Sequence, residues 1–266
     1  MKRLFYFLFV ALSATAFVSC LDETDSDSVY YFRNEPAFVV PAPGGNGEDM
    51  VLRTAYGMYY VSPEQLAKFN LAKDDLIWTD FTVLANDANK ISFSDSEWYY
   101  KVAGLYAFTV DSSAVRLPDT KAEFEANLKD DYSADIDLAM LYLESIDNLL
   151  FFEFTHQSGS GTVFGYEIIL DPESTQTSGT PTFYIRAKAL ASATSKNSAN
   201  SNVYAFDLDQ FVQKYKELYG IGTGSSVRFN LRYKVRTENG EDVYRDFMSN
   251  PISWRFYDLT VYSNKD

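Results

Sequence analysis

The 266-residue sequence predicts a mainly β protein: a small N-terminal β-barrel followed by a C-terminal β-sandwich with one amphipathic helix. Three observations lead there. Aromatic residues form 17% of the chain, a composition suited to strands whose half-buried faces take aromatic and β-branched side chains. Apolar and polar residues alternate in short runs separated by turn-forming clusters. One segment, after Asp207, repeats its apolar residues clearly at helical spacing.

Residues 1–19 are expected to be a signal peptide. Lys2 and Arg3 precede an apolar stretch from Leu4 to Val18, broken only by Ser13 and Thr15. Such a stretch is shorter than the ~20 residues that span a bilayer as a helix and has the proportions of an export signal. It ends in Phe17-Val18-Ser19-Cys20, which resembles a lipobox, with small Ser19 just before the cysteine and Phe17 in place of the usual Leu. Cys20 is the only cysteine, so no internal disulfide can form, and acylation removes a free thiol from an oxidising compartment. Acyl chains contribute about 0.8 kcal/mol per buried CH₂, so two of them anchor the chain without a membrane-spanning element.

Residues 20–47 are expected to be the acylated cysteine and a flexible acidic tether. Asp22, Glu23, Asp25 and Asp27 resemble the signal that sends lipoproteins to the outer face of the outer membrane, and they equally suit a solvated linker. Pro41-Ala-Pro43-Gly44-Gly45-Asn46-Gly47 closes the tether as a turn cluster. Removing residues 1–19 takes the net charge from −14 to −16, which argues against nucleic acid and anionic headgroups as partners.

The barrel is placed at residues 48–117, with strand-like runs at Met50–Val61, Asp75–Leu84 and Ile91–Val110, the last broken near Ser94–Glu97. Between the first two, Ser62-Pro63-Glu64-Gln65-Leu66 carries a helix start: a capping serine, proline at the first position and glutamine to complete the capping box. Residues 118–133 read as a linker with a short helix from Thr120, Glu123 being its capping-box partner. The sandwich is placed at 134–266. Its expected strands include Leu149–Phe154, Thr162–Leu170, Thr182–Leu190 and Val227–Val235, with Asn239-Gly240 turning the last into Val243–Met248. Ala191–Asn202, rich in Ser, Ala and Asn, is expected to be an exposed loop. The helix after Asp207 places Leu208, Phe211, Val212, Tyr215 and Leu218 on one face and ends at Gly220.

Taken together, this arrangement resembles the NigD-like lipoproteins of Bacteroidetes. The resemblance rests on Tyr59-Tyr60-Val61-Ser62-Pro63-Glu64-Gln65-Leu66 and Asp75-Leu-Ile-Trp78-Thr-Asp80-Phe-Thr-Val83 in the first domain. In the second it rests on Ile146-Asp147-Asn148-Leu149-Leu150-Phe151 and Tyr204-Ala-Phe-Asp-Leu208. It implies an N-terminal OB-like barrel and a C-terminal β-sandwich. It implies little about activity, since the family takes its name from a bacteriocin-associated operon; envelope protection or immunity is the role that name suggests.

Catalytic chemistry is sparsely represented. His156 is the only histidine and reads as a strand-end residue. Gly159-Ser160-Gly161 lacks the spacing of a nucleophile elbow, and Gly220-Ile-Gly222-Thr-Gly224 follows a helix where a dinucleotide loop follows a strand. Asp130, Asp131, Asp135 and Asp137 do not have calcium-loop spacing, and one histidine with no free cysteine disfavours zinc. No metal or cofactor is therefore expected. The candidate ligand-binding residues are Tyr59, Tyr60, Trp78, Trp98, Tyr99 and Tyr100, because barrel faces carry oligosaccharide sites and sugars stack on exposed rings. Adjacent tyrosines on a strand face opposite sides, so core packing explains the same residues. The expectation is a non-enzymatic binding or interaction lipoprotein, held to the membrane by lipid, with a glycan or envelope protein as partner. Envelope protection, including bacteriocin immunity, is the alternative, and a carboxylate-dependent hydrolase ranks third.

Overall fold

The computed structural model describes residues 28–94, 96–129, 132, 134–142, 146–158, 162–174, 180–191, 198–219 and 226–255. The first domain is a closed five-stranded barrel built from β1 (Ser28–Pro41), β2 (Met50–Thr54), β3 (Gly57–Val61), β4 (Leu76–Ala85) and β6 (Trp98–Thr109). Their order is β3-β2-β1-β4-β6, and β3 closes the circle by pairing in parallel with β6 through Tyr59↔Tyr100 and Tyr60↔Lys101. Short β5 (Lys90–Ser92) adds to the edge of β6. Helix α1 (Pro63–Phe69) is inserted between the third and fourth barrel strands, as in an OB-fold. Its capping box forms as expected: the Ser62 side chain accepts from the Gln65 N–H and the Gln65 side chain accepts from the Ser62 N–H. Asn70, at φ 53°, ends it in the left-handed conformation.

The barrel begins earlier than the sequence reading placed it. Residues 28–41, assigned there to the tether, form β1, which pairs with both β2 and β4. The strand was masked by a bulge between Phe32 and Glu35. Before it Tyr30 and Phe32 border the barrel core, and after it Ala37 and Val39 fill the core, so the alternation changes parity midway. Asn34 occupies the bulge at φ 54°, and its N–H donates to the Asp80 carboxylate at 2.7 Å.

The second domain is a sandwich. One sheet has the order β7 (Asp111–Ala114), β12 (Ser198–Asp207), β9 (Leu149–Ser158), β8 (Leu138–Tyr142). The other runs β10 (Val163–Leu170), β11 (Thr182–Ala191), β13 (Ser226–Glu238), β14 (Glu241–Asp246), with β15 (Ile252–Arg255) also on β13. Two further boundaries move. Only Val110 separates β6 from β7, so the chain leaves the barrel in extended conformation with no turn to mark it, and residues 111–114 belong to the sandwich. Residues 198–202, expected in a loop, pair with β9 from Ser198↔Ser158 onward; small polar residues hid a strand whose pairing supplies its stability.

Helix α2 (Lys121–Asn127) is capped by Thr120, which accepts from Glu123 N–H; the Glu123 carboxylate reaches the Asp119 N–H. Its buried Phe124 meets Tyr184 edge-on at 5.3 Å. Beside this helix, fully buried Arg186 pairs with Glu167 at 3.0 Å and fully buried Lys234 with Asp135 at 3.0 Å, a charged ladder across the outer face of the second sheet. Helix α3 (Asp209–Tyr219) drives Phe211 and Val212, with Leu208 just before it, into the sandwich core beside Phe183. Leu218 and Gly220 lie outside the described side chains.

Strand β9 is buried on both faces. Leu150, Phe152 and Phe154 point into the sandwich, and Leu149 and Phe151 point back at the barrel. There they join Ile146 and Ala205 against Leu76, Trp78 and Val110 of the barrel. Arg53 of β2 crosses this seam to grip Asp147 with both guanidinium nitrogens, at 2.9 and 2.8 Å, while lying 4.8 Å over the Phe38 ring.

Candidate site: an aromatic and acidic cleft at the domain seam

Where β4 and β6 emerge from the apolar seam, their outward side chains wall a cleft of about 500 Å³. Register sets the barrel wall: Trp78 stands beside Phe108 and Asp80 beside Tyr106, all four on the outside of the sheet. The opposite wall comes from the sandwich, with Tyr142 at the end of β8, Glu153 on β9, Asn202 on β12 and Asp111 opening β7. Tyr106 is 60% exposed and Phe108 38%, so both rings present apolar surface to solvent. Trp78 is only 5% exposed and packs 4.4 Å from the Tyr142 ring, joining the cleft to the seam behind it.

Hydrogen bonds fix the polar groups. The Tyr142 hydroxyl donates to the Glu153 carboxylate at 2.7 Å, the Asn34 N–H holds Asp80, and the Thr79 hydroxyl donates to the Tyr106 carbonyl at 2.8 Å. A second hollow of about 580 Å³ adjoins the first through Thr109 and Asp111 and is bordered by Asp74, Asp75 and Asp207. Among the described residues no group of three or more His, Cys, Asp or Glu stands where it could hold a metal ion.

The six aromatics singled out from the sequence do not share one platform. Tyr59 lies within the barrel cluster between Phe32 and Phe81, and burial, with Glu35 nearby, pushes its pKa up to about 12. Tyr100 borders the same cluster. Tyr60 and Tyr99 fall on the outside of the barrel with Ala42, Val51 and Phe93. There the loop around Gly44 packs against Phe93 and Glu97, covering the β2–β3 face through which OB-folds commonly bind. The Tyr99 hydroxyl donates to Glu97 at 3.0 Å, and burial followed by that contact raises its pKa to about 12. Trp98, 43% exposed, meets Tyr100 edge-on at 5.1 Å under the Lys90 ammonium. Of the six, Trp78 alone lines the cleft. Tyr106, Phe108 and Tyr142 were missed; the Tyr-x-Phe spacing at 106 and 108 marks one strand face, but only the second domain turns that face into a wall.

His156 is 1% exposed and stacked on Phe164 at 3.8 Å. Its Nδ1–H donates to the Asp135 carbonyl at 2.7 Å, which leaves Nε2 to accept from the Tyr166 hydroxyl at 2.8 Å. Burial lowers its pKa. Cys20, Asp22, Glu23, Asp25 and Asp27, as well as Asp130, Asp131 and both glycine-rich runs, lie outside the described residues.

No protein-family model matches the chain, and no curated protein matches it. Solved structures do. An uncharacterized protein from Parabacteroides merdae is similar over 84% of this chain and 99% of its own, at 13% identity and a TM-score of 0.57. A "Putative lipoprotein" from Bacteroides fragilis is similar over 87% of this chain and 99% of its own, at 9% identity and a TM-score of 0.52. A NigD-like immunity protein from Bacteroides caccae is similar over 88% and 99%, at 11% identity and a TM-score of 0.50. At these identities the likeness establishes a shared architecture, and at that level the expected resemblance to NigD-like lipoproteins holds.

Proposed function

We propose that this chain, which shares its two-domain architecture with a NigD-like immunity protein, is a cell-surface lipoprotein that binds a ligand in the cleft at its domain seam and performs no chemistry on it. The observation that carries the reading is the open cleft with aromatic rings on both walls. Concave sites lined by rings with a few fixed polar groups are the usual form of a binding site. The one histidine is committed to the sandwich core, which supports binding over acid–base catalysis. Cys20 supplies the membrane anchor, and the acidic run after it supports export to the outer face of the outer membrane.

Two measurements test this. The mature chain is applied to an immobilised set of short oligosaccharides and peptides beside a Tyr106→Ala/Phe108→Ala double variant. Retention of a subset by the parent and its loss by the variant is expected; equal retention moves the site elsewhere. Protease treatment of intact cells should remove the C-terminal domain, and survival until lysis would place it on the periplasmic side. Envelope protection is the second reading, favoured by the architecture shared with the Bacteroides caccae immunity protein, and challenge of a deletion strain separates it from ligand binding without a protective role.

A further inference from the structure

Among the described residues, the two hollows along the seam are walled by aromatic rings and carboxylates and by no cationic side chain. Trp78, Tyr106, Phe108 and Tyr142 supply the rings of the first. Asp80, Asp111 and Glu153 stand in that hollow, and Asp74, Asp75 and Asp207 border the one adjoining it. Among the described residues no lysine, arginine or histidine lines either. We propose that the seam binds organic cations, the ammonium and guanidinium groups that a basic peptide carries on its side chains. This rests on the reading of the cleft as the ligand site and names its ligand class.

Three features point to an organic cation over a metal ion or a neutral sugar. First, the carboxylates are distributed over both domains: Asp80 on β4, Asp111 on β7, Glu153 on β9, Asp207 at the end of β12. Among the described residues they form no cluster able to hold a metal. A small divalent ion needs several oxygens converging on one point, whereas a chain of larger cations suits separated charges. Second, ring faces carry negative quadrupole potential and attract ammonium and guanidinium groups, while their edges cover the methylene stems. The same chain shows that geometry with Lys90 4.7 Å over Trp98, away from the seam, and with Arg53 4.8 Å over Phe38, whose ring borders the second hollow. Third, the hollows adjoin at Thr109 and Asp111, giving room for more than one side chain of an extended segment. The hydrogen bond from the Asn34 N–H orients the Asp80 carboxylate, while an ionised carboxylate offers about four acceptor positions.

Calorimetric titration of the mature chain with trilysine, triglutamate, a glucosamine trimer and its fully N-acetylated form tests the proposal. Trilysine is expected to bind and triglutamate not. Raising salt from about 20 to about 200 mM should weaken trilysine binding roughly tenfold, because exposed charges are screened within a Debye length. Asp80→Asn/Asp111→Asn and Tyr106→Ala/Phe108→Ala should each weaken it about fivefold or more, with unchanged circular dichroism. Binding of the glucosamine trimer in place of trilysine upholds the cation and assigns it to an amino sugar. Binding of the neutral N-acetylated trimer at equal strength, lost only in the aromatic variant, overturns the cation and leaves the cleft as the binding site. Failure of every probe, with the oligosaccharide and peptide set also unretained, overturns both.

Discussion

At the scale of single residues, His156 shows how a side chain with catalytic potential is consumed by the core. Both ring nitrogens are engaged and the ring lies flat on Phe164, so the neutral form is held in place and burial lowers its pKa. A base whose folded pKa lies below its unfolded value binds its proton more readily when unfolded. The stability is therefore complete above the unfolded value near 6.5 and is lost as pH falls below it. We expect the unfolding free energy from urea titration to decline between about pH 6.5 and 5, by no more than about 1.4 kcal/mol per pH unit, before carboxylates begin to titrate. His156→Gln should be less stable at pH 7.5 and flatter over that interval; an unchanged slope would assign the decline to another group. Tyr106 and Phe108 make the opposite point, as large apolar residues left in solvent within one wall of a cleft.

Elements were legible where local chemistry decides them. The start of α1 could be read from Ser62, Pro63 and Gln65 because capping is a contact between residues three apart. Ser62→Ala should cost about 1 kcal/mol, the usual value for a lost cap, measured as a shift in urea midpoint at constant m-value. Ser62→Thr should retain most of it; equal loss in both variants would assign the effect to packing around a residue that is itself nearly buried. Strand β1 was illegible for the converse reason. Its bulge at Asn34 moves the inward face from Tyr30 and Phe32 to Ala37 and Val39, and no periodicity survives such a shift. The first residues of β12 were hidden differently: Ser198, Ala199 and Asn200 carry no strand pattern, and only their pairing with β9 makes them strand.

At the scale of the whole molecule, one sheet serves two cores. The face of β9 carrying Phe151 holds the barrel through Trp78, and the other face fills the sandwich. The Arg53–Asp147 pair adds a bidentate contact across the same seam. The two domains are therefore expected to unfold together. Trp78→Ala should remove about 3 kcal/mol or more and split one calorimetric transition into two. A single transition in that variant would mean that coupling runs through other contacts. The candidate cleft belongs to this scale, since its lining residues come from both domains.

By itself the sequence determined the β class, the barrel followed by a sandwich, the capping box of the first helix, the Thr120 cap of the second (whose Glu123 bonds the Asp119 N–H in place of the expected Thr120 N–H) and the apolar face of the third over Leu208, Phe211 and Val212. All of these follow from residue type at spacings of two to four along the chain. It also carries a basic pair and an apolar run up to Cys20 that resemble an export signal with a lipobox. The tertiary structure decided which aromatics are ligand walls and which are core, where the barrel starts, and that scattered aspartates line one seam. These depend on pairings between residues tens of positions apart, such as Trp78 with Tyr142, and no local spacing encodes which two surfaces will meet.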